Sequence, residues 1–260
     1  MKTKRFIILG AVLMAALSAQ AWEYASEDAS TTHSAQIRFG ATIAKKWDQG
    51  LKLSFNEDLR SDVYNSATGA AFRTSFSTLT FSYTPIEYVK LDAGYTLKVS
   101  NKDTTAVNKL LRHRVFASVT GSYTMQYVKL SLRERVLCEF RTDSVNPLER
   151  SWQNWQLRTK IAAEFIVPGK PVKPYLWGEL INTLNAPEYQ RKNGMQFISV
   201  VRTQAGVKWR LTRRSSLDFY YRFTYSYDRD INITKKKGLI ELTEKTLFQH
   251  AIGVTYSLDL

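Results

Sequence analysis

The chain holds one cysteine, Cys138, in 260 residues. A lone thiol excludes a disulfide-stapled scaffold and any zinc knuckle or ribbon. Histidine is nearly as scarce: His33, His113 and His250 are the whole set. No spacing links them to a serine and a carboxylate in one catalytic group, so the chain is not expected to be an enzyme. No His/Asp/Glu cluster has ligand spacing either, and neither a metal nor another cofactor is expected. Acids are outnumbered, with 23 Asp+Glu against 37 Lys+Arg and a formal net charge of +14. Apolar content of 44% is too high for a disordered basic tail. Long hydrophobic runs are also missing. The apolar stretch from Phe6 to Leu17 is too short for an ordinary transmembrane helix. No later segment shows the three-four apolar spacing of a long amphipathic helix.

What is present begins with an address. Lys2, Lys4 and Arg5 precede the apolar stretch, and the small-residue run Ser18-Ala19-Gln20-Ala21 follows it. That order predicts a secretory signal peptide over 1–21, cleaved after Ala21, with 22–260 forming a single domain. Losing three basic residues would lower the charge from +14 to +11. A secreted, basic chain of this kind is not expected to bind nucleic acid.

Alternation with a period of two then recurs along the chain. Val89, Leu91, Ala93, Tyr95, Leu97 and Val99 interleave with Lys90, Asp92, Gly94, Thr96, Lys98 and Ser100. Leu217, Phe219, Tyr221, Phe223 and Tyr225 do the same, as do Ile252, Val254, Tyr256, Leu258 and Leu260. Successive strand residues point to opposite faces, so each segment is a strand with one apolar and one polar side. Similar segments lie near 35–47, 51–61, 71–84, 111–123, 127–141, 154–167, 174–185 and 196–211. They exceed the usual globular strand of about five or six residues and meet the roughly 9–11 that a tilted spanning strand needs. Aromatics at their ends (Trp47, Tyr83, Tyr88, Tyr123, Tyr127, Trp155, Tyr175, Trp209, Tyr227) match the interfacial girdles of an outer-membrane barrel. A soluble two-sheet sandwich would alternate too, with shorter strands and fewer edge aromatics.

Short links alternate with long polar ones at 62–70, 101–109, 142–152, 186–195 and 228–244. Short turns face the periplasm in such barrels, which sends 35–47 and 245–260 downward. The fold class expected is all-β: an antiparallel, up-and-down transmembrane β-barrel. An even count requires one more upward strand, for which Trp22-Glu23-Tyr24-Ala25-Ser26 is the candidate, giving twelve strands with ten as the fallback. The alternate apolar residues Val254, Tyr256 and Leu258 near the C-terminus suit insertion by the barrel-assembly machinery.

If the apolar set faces lipid, the other set lines the lumen. The lumen-lining candidates are Arg112, Arg114, Arg133, Arg135, Glu139, Arg141, Arg158, Glu164, Glu179, Arg202, Arg210, Asp218 and Arg222. The same phase carries Arg38, Lys46, Lys52, Arg60, Lys90, Lys98, Lys129, Lys160 and Lys208, against Asp58 and Asp92. Such a lining favours anions, because rings of Arg and Lys select for them and a low-dielectric wall focuses their field. The competing reading is a barrel tied shut by buried ion pairs, since eight strands enclose a filled interior and sixteen or more leave a channel. Three positions resist the pattern. Glu134 falls between Leu132 and Val136 on the lipid face, which a bulge, a register error or an oligomer contact would each resolve. Phe72 and Phe76 are out of phase with Leu79, Phe81 and Tyr83, which suggests a bulge near Thr78. Placing Glu179 inward also turns Trp177 inward.

The segments Arg133-x-Arg135, Lys173-Pro174-Tyr175-Leu176 with Glu179-Leu180, Ser216 to Phe223 and Gly253 to Leu258 resemble an outer-membrane barrel group, domain of unknown function 2490. The resemblance covers nearly all of the expected mature chain and is strongest from Leu130 onward. It implies an outer-membrane location in a Gram-negative bacterium and no assigned reaction. The leading expectation is a monomeric, narrow channel or binding barrel for small anionic solutes, such as acidic sugars. A plugged structural or surface-interaction barrel is the alternative, and a lipid-modifying enzyme of the outer membrane is the third. The surrounding partners expected are outer-membrane lipid and lipopolysaccharide, whose phosphates the basic run Lys235-Lys236-Lys237 could contact.

Overall fold

A computed structural model describes residues 29–65, 71–101, 109–140, 153–185, 198–234 and 239–260. The expected signal peptide, the candidate strand at 22–26, Arg141 and the lysine run 235–237 lie outside these residues. Eleven strands follow one another: β1 (Ala29–Lys46), β2 (Leu51–Asn65), β3 (Ala71–Ile86), β4 (Val89–Asn101), β5 (Lys109–Thr124) and β6 (Val128–Phe140). β7 (Gln153–Phe165), β8 (Val172–Thr183), β9 (Ile198–Arg210), β10 (Ser215–Thr234) and β11 (Leu239–Asp259) complete the sheet. Each strand pairs antiparallel with its sequence neighbours, and β1 pairs with β11 to close a barrel.

The closing pair is parallel, in unbroken register from Ala29 opposite Glu244 to Ala44 opposite Asp259. This corrects the expectation of an all-antiparallel barrel of twelve strands. Each hairpin reverses the chain, so the first and last of an odd set run the same way and can join only in parallel. β1 already has β2 on its other edge, which leaves no free edge along it for a twelfth strand.

The turns gather at one end of the barrel. At the first of them Trp47 donates its backbone N–H to the carbonyl of Leu51 at 2.9 Å. Gly50 sits there at φ 75°, a left-handed conformation that only glycine adopts cheaply, and a Cβ would run into the Thr84 carbonyl. The strand ends at Asn65, Asn101, Phe140 and Thr183 lie at the other, loop end.

Alternation sorts the side chains as the pattern demands. Phe39, Phe55, Phe81, Leu132, Leu176, Phe219 and Ile252 point outward and are exposed, Ile252 at 67%. Trp47, Tyr83, Tyr88, Tyr123, Tyr127 and Trp209 stand exposed near the turn end of this apolar belt. Tyr175 does not join them. It is 7% exposed and hydrogen-bonds Asp218 on the inner side, because it shares the phase of Trp177 and Glu179.

The irregularities also fall elsewhere than expected. No register shift occurs at Thr78, which pairs with Thr96 and shares a 2.9 Å hydrogen bond with it. β3 shifts register between Phe72 and Thr74, opposite Ser61 and Arg60, which makes Arg73 the extra residue, and again between Tyr83 and Ile86 at the turn to β4. Phe76 is simply an inward aromatic. Glu134 points outward with both of its ladders in unbroken register, so neither a bulge nor a register error accounts for it. The Thr159 hydroxyl donates to its carboxylate at 2.9 Å.

Candidate functional site

The inner wall is built from residues that alternate with the exposed belt, and its cations divide by what holds them. Arg112 donates to one oxygen of Glu139 at 3.0 Å, and Arg114 takes the other. Arg133 and Arg202 bracket Glu179 at 2.9 and 3.4 Å. These are two Arg–Glu–Arg clamps, each joining side chains of different strands. Arg60 pairs with Asp58 at 2.6 Å, and Lys173 and Lys208 hold Glu164 at 3.3 and 3.0 Å near the turn end. Carboxylates this enclosed must be matched by charge and hydrogen bonds, and both oxygens of Glu139, Glu179 and Glu164 are, whereas Asp58 uses only Oδ2 among the described residues.

A second group of cations touches no carboxylate among the described residues. The Arg135 guanidinium lies over the Phe116 ring at 4.1 Å, and its Nε is buried without a partner among the described residues. Lys160 sits 4.0 Å over the Trp177 ring. Arg222 donates Nε to Gln204 at 2.7 Å and packs against Trp177 and Tyr220 at 5.2 and 5.3 Å. Lys98 faces Phe76 at 5.9 Å, a ring whose nearer cations are Arg60 and Arg114. Arg158 bonds to Gln156, and Arg38, 3% exposed, to Gln36 and Gln249. Ring quadrupoles and amide oxygens orient these cations without neutralising them.

The aromatic platforms depend on glycine. A Cβ at Gly94 would overlap Phe116, one at Gly206 would overlap Tyr175, and one at Gly253 would overlap Tyr220. Each ring lies flat against the wall over a neighbouring strand's glycine. Tyr175 is then fixed by a chain in which Gln204 donates to its hydroxyl and that hydroxyl donates to Asp218 at 2.9 Å.

Between the walls a cavity of about 740 Å³ opens at the turn end, where Thr84, Glu87 and Lys129 line it. Its deepest lining includes Arg133, Arg135, Lys160, Trp177 and Arg222. The Glu139 clamp and Arg158, Glu179 and Arg202 do not line it and stand farther toward the loop end.

Of the residues marked from sequence, Arg112, Arg114 and Glu139 thus form one group, and Arg133, Glu179 and Arg202 another. Arg135, Arg222, Glu164 and Asp218 border the cavity. Arg210 is exposed at the turn end, apart from both clamps, and Arg141 lies outside the described residues. Reasoning from charge missed the inward aromatics Phe76, Phe116, Tyr175 and Tyr220, and the buried pair in which Gln36 donates to Asp62 at 2.7 Å. Their signal was an aromatic in phase with arginines. His113 and His250 lie on the outer face against Tyr95 and Tyr221, each at 2.6 Å, with no serine in the arrangement.

Among solved structures the chain is similar to the NanC porin in its rhombohedral crystal form, with 11% identity, a TM-score of 0.46, and 86% of this chain and 99% of that one covered. It is also similar to the siderophore receptor PirA from Acinetobacter baumannii, at 8% identity and a TM-score of 0.27, over 77% of this chain and 45% of that one. No curated protein matches the sequence. A family described as protein of unknown function (DUF2490) matches residues 31–234, and the chain belongs to that family.

Proposed function

We propose that this is an outer-membrane barrel whose interior passes or holds small anionic solutes, such as acidic sugars, without catalysing a reaction. The apolar belt supports the membrane setting: a continuous exposed band of Phe, Leu, Ile and Val exceeds the patch of a few hundred Å² that soluble monomers tolerate. The observation that carries the solute class is the set of inner cations without a carboxylate. Arg38, Lys98, Arg135, Arg158, Lys160 and Arg222 contact rings or amides and no carboxylate among the described residues. A mobile anion supplies the missing counter-charge, and rings of Arg and Lys favour its entry.

Conductance of the purified barrel in a planar bilayer tests this. Under a salt gradient the reversal potential should report anion preference, and Arg222→Glu should reduce or invert it. Cation preference in the unaltered protein would overturn the proposal. The Arg–Glu–Arg clamps favour a second reading, a plugged barrel that works through its outer loops, and absence of any conductance would select it.

A further inference from the structure

An anion inside this barrel would meet two kinds of wall. Of the four carboxylates that border the cavity, Glu87 stands at the mouth and the other three are already engaged: Asp92 accepts from Ser82 at 2.6 Å, Glu164 from two lysines, and Asp218 from Tyr175. Of the deepest cations, Arg133 holds Glu179, whereas the other three meet no carboxylate among the described residues. Arg135 has only a ring beneath it, Lys160 only Trp177, and Arg222 spends its Nε on Gln204 and has no carboxylate partner. We propose that Arg135, Lys160 and Arg222 form the floor of a binding site for a small solute carrying a carboxylate or phosphate group, entered from the turn end of the barrel. This rests on the reading of the interior as an anion path and adds where along it the anion halts.

Two guanidiniums and an ammonium suit such a ligand. Arg presents its donors as a planar fork that matches both oxyanions in bidentate fashion, while Lys adds a point charge. Glu179 stands opposite Lys160 in the β7–β8 ladder, but its oxygens are taken by Arg133 and Arg202, and the rings hold the three cations in place without competing for their donors. The volume of about 740 Å³ falls in the range of small-molecule sites. Beyond the floor, toward the loop end, the Glu139 and Glu179 clamps keep their arginines occupied. The turn end therefore offers the open approach.

Inorganic phosphate and glucuronate serve as probes for the two oxyanions. Titrated into the detergent-solubilised full barrel, either should change tryptophan fluorescence saturably, since Trp177 lies between Lys160 and Arg222. R135Q or R222Q should weaken that binding about tenfold or more, the loss of one charge-assisted pair. The turn variant R213Q should leave it unchanged. Because an altered arginine could impair folding, the unaltered protein supplies a second test. Probe added on the turn side of an oriented bilayer should block current at lower concentration than probe added on the loop side. No saturable change with either probe, binding indifferent to both substitutions, or block equal from both sides would overturn the site. Anion-selective current without binding would remove this site alone. Cation preference would remove the anion reading itself.

Discussion

Glu179 ties two inner cations together, bonded to Arg133 and Arg202 and closely enclosed. Glu179→Ala leaves both guanidiniums buried without their shared acid. Removing one partner of a buried ion group costs about 3–5 kcal/mol. The expected outcome is a lower urea midpoint of the folded barrel, with Glu179→Gln less severe because an amide oxygen still accepts. Gly253 carries the opposite risk. A methyl there would strike the Tyr220 ring, and overpacking of that kind costs about 1–3 kcal/mol. Gly253→Ala should therefore destabilise the barrel in the same titration, whereas Gly121→Ala, with open space at its Cβ, should not. Inner charges were legible in the sequence because they alternate with apolar neighbours. Among inner aromatics Trp177 was legible through its phase with Glu179, but Phe76, Phe116 and Tyr175 were not, because a Phe or Tyr reads as lipid-facing until the cation above it and the strand beneath it are known.

Strands were the most readable elements. Period-two alternation located all eleven segments, and the short links fall at one end as expected, but most of the long link expected at 228–244 is strand, with Asp228 opposite Lys245 and Thr234 opposite Leu239. The strand count failed for a physical reason: an even total follows only if every pair is antiparallel, and the β1–β11 seam is not. Thr42 faces Ser257 across that seam. In a Cys138→Ala background, Thr42→Cys with Ser257→Cys should be joined by a short bifunctional thiol reagent. Thr42→Cys with Glu244→Cys, whose partner in the register is Ala29, should not. Equal yields would show that the seam does not hold this register. At its turn end Lys46 meets Asp259 at 2.8 Å, both well exposed. Asp259→Asn should accordingly change stability by about 1 kcal/mol or less.

For the molecule as a whole, the decisive contrast is between its two surfaces. Leu132 is exposed on the belt, and adjacent Ser131 borders the cavity. If the belt meets hydrocarbon, Leu132→Arg should cost about 2–4 kcal/mol in lipid vesicles near the midplane, and Ser131→Arg far less. Denaturant titration in vesicles measures both, and equal costs would contradict a membrane setting. Charge balance and alternation were enough to anticipate a barrel with polar contents. They could not tell which cations are clamped and which are free, since that depends on partners several strands away.

The parallel seam has a consequence for biosynthesis. Its two halves are the first and last strands of the sheet, so β1 must wait for nearly the whole polypeptide to be made before its second edge is covered. Until then the nascent sheet carries an unpaired margin, and such margins invite wrong pairing. A sheet that closes only when β11 is in place therefore needs something to shield that margin until then.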